Sequence, residues 1–309
     1  MSPTFSIVVP CYNSEKYLAD AFQSISQQTF RDFEVLIVDD NSTDSSHQLA
    51  LKLLSHFALR GQVLAKPAQM PRGVSSSRNL AAEFAEGEWL VFLDSDDMFK
   101  RRKLEFLSKF IADNPFCNFL FHGVDYFEHG NRPDFDTIVE RETLDLERIY
   151  DVNLVVTSSV VMRKEKFFEL GKFDLELNGV EDYFLWLKVF ENGGVGYLPF
   201  NLGLYRILDN SLMRGRRFEY YVDQNVLLLS RLDFLCKAKF KRVETYLIDR
   251  LMNYYCNVSI GRYGFFSINK GILLLARYGY VKVAVGLFSS RLFRVFLRTV
   301  SVARSSIIR

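Results

Sequence analysis

The most chemically loaded stretch of this sequence is Asp94-Ser-Asp-Asp97, three carboxylates within four residues directly after the apolar run Leu90-Val-Phe-Leu93. Like charges this close repel one another unless a cation or hydrogen-bond donors offset them. Hard divalent cations such as Mg²⁺ or Mn²⁺ take carboxylate oxygens together with phosphate oxygens. One or two acids at a strand end leave room for a diphosphate, so Asp94 and Asp96, flanking Ser95, are the candidate metal ligands. A turn with Asp as a helix cap is the plainer alternative, and it accounts less well for three acids together.

Other groups have the right types but ambiguous chemistry. Asp39 and Asp40 close the apolar run Phe33-Glu-Val-Leu-Ile-Val38; a carboxylate there can accept from a base N–H or a ribose hydroxyl, or cap the next helix. Pro10, Tyr12 and Asn13 follow the first apolar run, where an aromatic ring could flank a nucleobase or simply join the core. Arg78 could neutralise phosphate or form a surface salt bridge. Glu181-Asp182 opens an amphipathic segment, where acids favour the helix dipole and where one of them could serve as a general base.

The elements that must hold these groups follow from periodicity. Strands are expected at 5–10, ending at Pro10, at 33–38 and at 89–93. Helices are expected from a cap at Asn13-Ser14 through about 28, then over 44–59 and 75–84. Alternating βα units of this kind predict a mainly parallel α/β sheet with helices on both faces. In such sheets ligands bind beyond the carboxyl ends of the strands, where both acid clusters sit. Further on, a helix at 102–112, strands at 116–121 and 158–162, irregular polar sequence at 129–142 and a helix at 181–192 are expected. Beyond about 213 the pattern is helical.

Composition narrows the function classes. At 309 residues, 49% apolar and 25% charged, the chain is a folded protein with ample core. A net charge of +2 gives no field for capturing nucleic acid. Cys11, Cys117, Cys236 and Cys256 show neither metal-knuckle nor redox spacing and read as reduced thiols of a cytoplasmic protein. Neither a secretory leader nor a spanning helix is expected; the most apolar stretch, 271–290, carries Arg277 and Lys282.

Six segments together resemble glycosyltransferase family 2, the inverting enzymes of GT-A fold. They are Ser6-Ile-Val-Val-Pro-Cys-Tyr-Asn13, Phe33 to Asp44, Ser77-Arg-Asn79, Gly87 to Asp97, Gly171-Lys-Phe-Asp174 and Glu181-Asp182, in the family's order over about the first 210 residues. The resemblance implies a donor half at 1–100 and an acceptor half at 101–212, followed by a helical region at 213–309. It implies that Pro10, Tyr12, Asn13, Asp39 and Asp40 line the nucleotide pocket, Asp40 facing a uracil N–H, with Glu15 nearby. Arg78 would lie near the phosphates, Asp94 and Ser95 near the ribose side, and Asp96 on the metal. Asp182 would be the catalytic base and Glu181 its support. The implied activity is transfer of a single sugar to a glycan or lipid-linked acceptor, since the Gln-x-x-Arg-Trp element and membrane spans of processive members are missing.

Three rivals use the same residues. A phosphatase of haloacid-dehalogenase type would use the Asp94 loop but leaves Asp39-Asp40 unexplained, and a nucleotidyltransferase would need a Gly-rich basic loop where Tyr12-Asn-Ser-Glu-Lys16 stands. An inactive nucleotide-sugar-binding protein would not need Asp94, Asp96 and Asp182 together. The last thirty residues carry Lys282, Arg291, Arg294, Arg298, Arg304 and Arg309 without an acid. Such a segment suits an anionic membrane face, a dimer contact or a basic surface helix.

Overall fold

The computed structural model describes residues 2–128, 134–208, 224–225 and 227–262, the stretch 251–262 by its backbone alone. The chain divides into two compact units, Met1–Ser211 and Leu212–Arg309. Within the first unit every residue of β1 (Phe5–Cys11), β2 (Phe33–Asp39) and β4 (Trp89–Phe92) is buried. Strands covered on both faces need no polar alternation, which is why these segments read as continuous apolar runs.

The first unit holds an eight-stranded sheet in the order β3-β2-β1-β4-β7-β6-β8-β5. β3 (Gly61–Ala65), β2, β1 and β4 run parallel. β6 (Phe119–Glu128) and β8 (Val195–Ile207) are also parallel, while β7 (Val161–Arg163) and β5 (Met98–Phe99) pair antiparallel. The sheet is thus mainly parallel, a curled α/β layer flanked by helices, as expected.

One face packs under α1 (Leu18–Ser26), α2 (Ser46–His56) and α4 (Lys103–Asp113), with Phe5, Ile7, Val9, Phe22, Ile25 and Leu104 in a single apolar core. On the other lie α3 (Val74–Phe84) and an aromatic layer. In that layer Phe92 meets Phe173 at 5.4 Å and Phe119 meets Trp186 at 5.0 Å, the latter on α6 (Glu181–Asn192). α5 (Lys164–Glu169) completes this unit; in the second, α7 spans Lys237–Arg262. The rest of the expected C-terminal helical pattern, basic residues 282–309 included, lies outside the described residues.

Several expectations need correction. β1 runs through Pro10 to Cys11. The Val8 carbonyl accepts from Leu93 on the β4 side and the Cys11 carbonyl from Asp40 on the β2 side. Pro10 therefore turns its missing donor toward β4, past the last β1–β4 pair, where no ladder bond is lost. Asn13 and Ser14 do not cap α1 with their side chains, which bond the neighbouring loops instead. The strand expected at 158–162 begins as a 3₁₀ turn at Thr157–Ser159, and the strand expected at 116–121 runs from Phe119 to Glu128. β3 had no buried run to announce it, since its residues are exposed or half-buried. β8 contains Gly196, Pro199 and Gly203, which read as loop punctuation. Within it Asn201 fills the space where a Cβ on Gly123 of β6 would stand, and the β6–β8 register shifts there.

Candidate active site

From β1 the chain winds outward through β2 and β3, then returns through α3 to β4 on the other side of β1. The switch of direction falls between β1 and β4, and crevices of this kind are where open α/β sheets bind ligands. At the β1 and β2 tips the backbone turns through left-handed residues, Asn13 (φ 49°) and Asn41 (φ 57°), which asparagine tolerates better than most. Asn13 Oδ1 accepts from the Thr43 amide at 2.8 Å and its own amide donates to Ser42 Oγ at 3.0 Å, stitching the two tips together. Tyr12 beside them is half-exposed, and Pro10 is buried.

Asp39 and Asp40 are both buried. Asp39 accepts from the Ser42 amide and lies 3.5 Å from His47 Nδ1, and Glu15 accepts from the Ser45 amide at 2.9 Å. Both acids thus hold the start of α2. Asp40 accepts from the Gly73 amide at 2.7 Å and pairs with Lys66, whose side chain is wholly buried. Lys66 escaped sequence reasoning because its segment looks like an ordinary polar loop.

The Asp94–Asp97 loop is held residue by residue. The Asp94 amide donates to Ser158 Oγ at 3.0 Å, and Ser95 Oγ shares a hydrogen bond with Ser14 Oγ at 2.7 Å. The Asp96 carbonyl accepts from Arg206 Nε at 2.8 Å. Asp97 accepts from Ser158 Oγ at 2.6 Å and from the Arg206 amide at 2.9 Å. Asp97 is fully interior, and burial, then Asp96 and Asp94, push its pKa far up. It is a scaffold for the loop.

The Asp96 carboxyl is different. It is raised to about 6 by burial and then by Asp94, against the pull of Arg206 and Arg78. A hard, partly desolvated oxygen donor whose net surroundings still disfavour its charge fits a divalent cation. Among the described residues no group of three or more acid, His or Cys side chains could hold one alone. A cation here would draw its remaining ligands from substrate phosphate and water.

Arg78 joins the two halves of the site. Set on α3 and buried, it bonds Asp94 Oδ1 through Nη2 at 2.5 Å and lies 3.7 Å from Glu181 Oε1 through Nη1. Its guanidinium packs over the Phe173 ring at 5.3 Å, and its Nε has no hydrogen-bond partner among the described residues. The surface salt bridge is therefore the wrong reading of Arg78. Next to it, Asn79 clamps the Phe173 backbone through both amide atoms, at 2.8 and 3.1 Å. The Ser77-Arg-Asn79 and Gly171-Lys-Phe-Asp174 segments are thus one structural joint.

At the α6 tip, Glu181 accepts from the Gly179 amide, and burial, then Asp182, raise its pKa. Asp182 accepts from the Tyr183 amide at 2.6 Å and lies 3.5 Å from Thr157 Oγ1. His122 and Trp186 are buried in the interior. Arg206 on β8, Lys103 and Tyr205 were missed. Arg206 spans Asp96 and Asp20, and the Tyr205 phenol is pushed up by burial and by Asp97, Asp94 and Asp96. The segment of Tyr205 and Arg206 carries no acid-rich or periodic signal, and the periodicity of the helix at 102–112 does not single out Lys103.

A mainly parallel sheet with acid-tipped strands at its switch point, facing the N-terminus of a further helix, is the framework of GT-A glycosyltransferases. The sequence pattern described as Glycosyl transferase family 2 matches residues 6–171, and the chain belongs to that family. A glycosyltransferase of Haemophilus influenzae is 30% identical over 193 residues, 60% of this chain and 62% of its own, so the match spans under two thirds of that relative. The Escherichia coli UDP-Glc:alpha-D-GlcNAc-diphosphoundecaprenol beta-1,3-glucosyltransferase WfgD is 26% identical over 68% of this chain and 80% of its own. In fold the chain is similar to Staphylococcus aureus TarS 1–349 in complex with UDP-GlcNAc: TM-score 0.70, 24% identity, 90% of this chain and 80% of that one. The phosphatase and nucleotidyltransferase alternatives fall with that membership.

Proposed function

We propose that this enzyme moves one sugar, with inversion, from a uridine diphosphate sugar to a hydroxyl of a lipid-linked or glycan acceptor in surface polysaccharide synthesis. The carrying observation is the Arg78 bridge, which puts the strand-tip acid Asp94 and the helix-tip acid Glu181, neighbour of Asp182, on one guanidinium. A donor-binding set and a candidate base therefore share a crevice. The names of the relatives, one acting on a diphosphoundecaprenol-linked sugar and one complexed with UDP-GlcNAc, support the donor and acceptor classes.

In this reading Pro10, Tyr12 and Asn13 flank the nucleobase and Asp39 and Glu15 hold the loop beside it. Asp40 receives a base N–H; its contacts to Lys66 and Gly73 take two of roughly four lone-pair sites on a carboxylate. Asp94 and Ser95 face the ribose and Arg78 offers its donors to phosphate. Asp96, with support from Asp94, would hold a divalent cation, Mn²⁺ or Mg²⁺, and that ion would supply positive charge beside the diphosphate. Asp182 takes the proton of the acceptor hydroxyl as that oxygen bonds the anomeric carbon from the face opposite the nucleoside diphosphate. The bond from that carbon to the phosphate oxygen breaks, and its electron pair leaves on the phosphate. Glu181 keeps the α6 tip in place. The basic C-terminal residues bind the anionic cytoplasmic membrane face where such acceptors reside; an oligomer is compatible with this arrangement.

The test is release of uridine diphosphate from a panel of UDP-sugars with Mn²⁺ present. Asp182→Asn is expected to lower turnover by about 10²- to 10⁴-fold while calorimetric uridine diphosphate affinity stays near wild type. Asp96→Ala is expected to abolish the metal dependence of that affinity. Equal wild-type affinity with and without metal would refute the metal assignment.

A further inference from the structure

The 3₁₀ turn Thr157–Ser159 lies between the two acid centres and touches both. Ser158 is buried with its hydroxyl inserted into the acid loop: it donates to Asp97 Oδ2 at 2.6 Å and accepts from the Asp94 amide at 3.0 Å. The two ends of the loop are thereby closed through one oxygen, and the Asp97 amide reinforces the closure by donating to the Asp94 carbonyl at 3.0 Å. The turn is itself anchored. Lys103, fully buried on α4, donates from Nζ to the Ser158 carbonyl at 2.8 Å and lies over the Phe99 ring at 3.7 Å. Immediately beyond the turn, the Val160 carbonyl accepts from Phe92, fastening it to the end of β4.

The neighbouring residue faces the other centre. Thr157 is buried, and its Oγ1 lies 3.5 Å from Asp182 Oδ2, at the outer limit of a hydrogen bond. Contacts to catalytic groups are commonly long before substrate binds and tighten afterwards. Two consecutive side chains on one short, rigidly anchored turn thus reach the acid loop and the α6 tip.

We propose that Thr157 and Ser158 are paired positioning residues that fix the separation between the donor-binding acid loop and Asp182. This rests on the reading of Asp182 as the base. Ser158 sets the loop and Thr157 sets the carboxylate that must point at the acceptor oxygen. Misplacement of about 1 Å at such a junction can lower turnover about 10²-fold.

Replacing each hydroxyl separately tests this. The readouts are release of uridine diphosphate from UDP-glucose and UDP-N-acetylglucosamine with Mn²⁺, and calorimetry of uridine diphosphate with Mn²⁺, with unfolding midpoints recorded for each variant. Thr157→Val should lower kcat about tenfold with KM and nucleotide affinity unchanged, and Thr157→Ser, which keeps the hydroxyl, should restore it. Ser158→Cys, close in volume but a weak hydrogen-bonding group, should weaken metal-dependent nucleotide affinity about tenfold, as loss of two buried hydrogen bonds implies. Ser158→Thr should hold the nucleotide as wild type does. Wild-type kcat in Thr157→Val, or equal losses in the Val and Ser variants, overturns the Thr157 role; wild-type affinity in Ser158→Cys overturns that of Ser158. Asp182→Asn run alongside separates the failures. If it retains turnover, the base assignment itself is wrong; if it is inactive while both hydroxyl variants behave as wild type, only the paired positioning is wrong.

Discussion

Arg78 sits where the acid loop and the α6 tip meet, and its fork does what a single ammonium cannot. One terminal nitrogen holds Asp94 while the other faces Glu181, and the guanidinium plane lies over Phe173. Breaking a buried ion pair by removing one partner leaves uncompensated charge. Arg78→Met is accordingly expected to lose about 3–5 kcal/mol of stability in denaturant titration, and Arg78→Lys to recover only part of it. A second prediction concerns Asp96, whose folded pKa of about 6 lies above the ordinary 3.8 because burial and Asp94 disfavour its charge. Between those values the folded protein holds the extra proton, so its stability falls as pH rises from about 4 through 6. The difference is on the order of 3 kcal/mol for a displacement of that size. Asp96→Asn should remove this component, so the unfolding midpoints of metal-free wild type and variant should diverge in the variant's favour as pH rises. A constant gap from pH 4 to 7 would refute it.

α3 carries the connection at the scale of elements. Its start holds Asp40 through the Gly73 amide, and Arg78 and Asn79, at its middle, reach Asp94 and Phe173. Buried residues Ser75, Ser76, Ser77, Ala81 and Ala82 are small, which lets the helix lie close to the sheet. The turn that follows is equally tight. A Cβ on Gly87 would stand 2.7 Å from Ser6 Oγ and 2.8 Å from the β1 backbone, so this residue sets the approach of β4 to β1. Gly87→Ala should cost about 1–3 kcal/mol and, by displacing β4 and the acid loop beyond it, weaken nucleotide binding as well; an unchanged unfolding midpoint would count against this. Sequence patterns made β1, β2 and β4 legible because buried parallel strands are continuously apolar. β3, β5 and β8 were not, since an exposed edge, a two-residue strand and a glycine-punctuated strand carry no such pattern.

The whole molecule places an acid-lined crevice in the unit Met1–Ser211 and a concentration of basic residues near the other end of the chain. No helix among the described residues is long and apolar enough to cross a membrane. Attraction to an anionic bilayer surface is worth about 1 kcal/mol per basic residue near it and is screened by salt. The full chain is therefore expected to sediment with vesicles containing anionic phospholipid, less so at high salt, and with zwitterionic vesicles hardly at all. Gln at 291, 294 and 298 should release it; binding unaffected by either change would refute the membrane reading. By itself the sequence determined the parallel sheet, the acid clusters at its tips and the family, because burial and strand order are written in local apolar runs and short motifs. Only the tertiary structure decided that Arg78 is a buried bridge, that Lys66, Lys103 and Arg206 are interior basic residues, and that Asp97 is a scaffold. The contacts responsible join residues 16 to 186 positions apart, and no local pattern records which distant side chain will arrive to offset a buried charge.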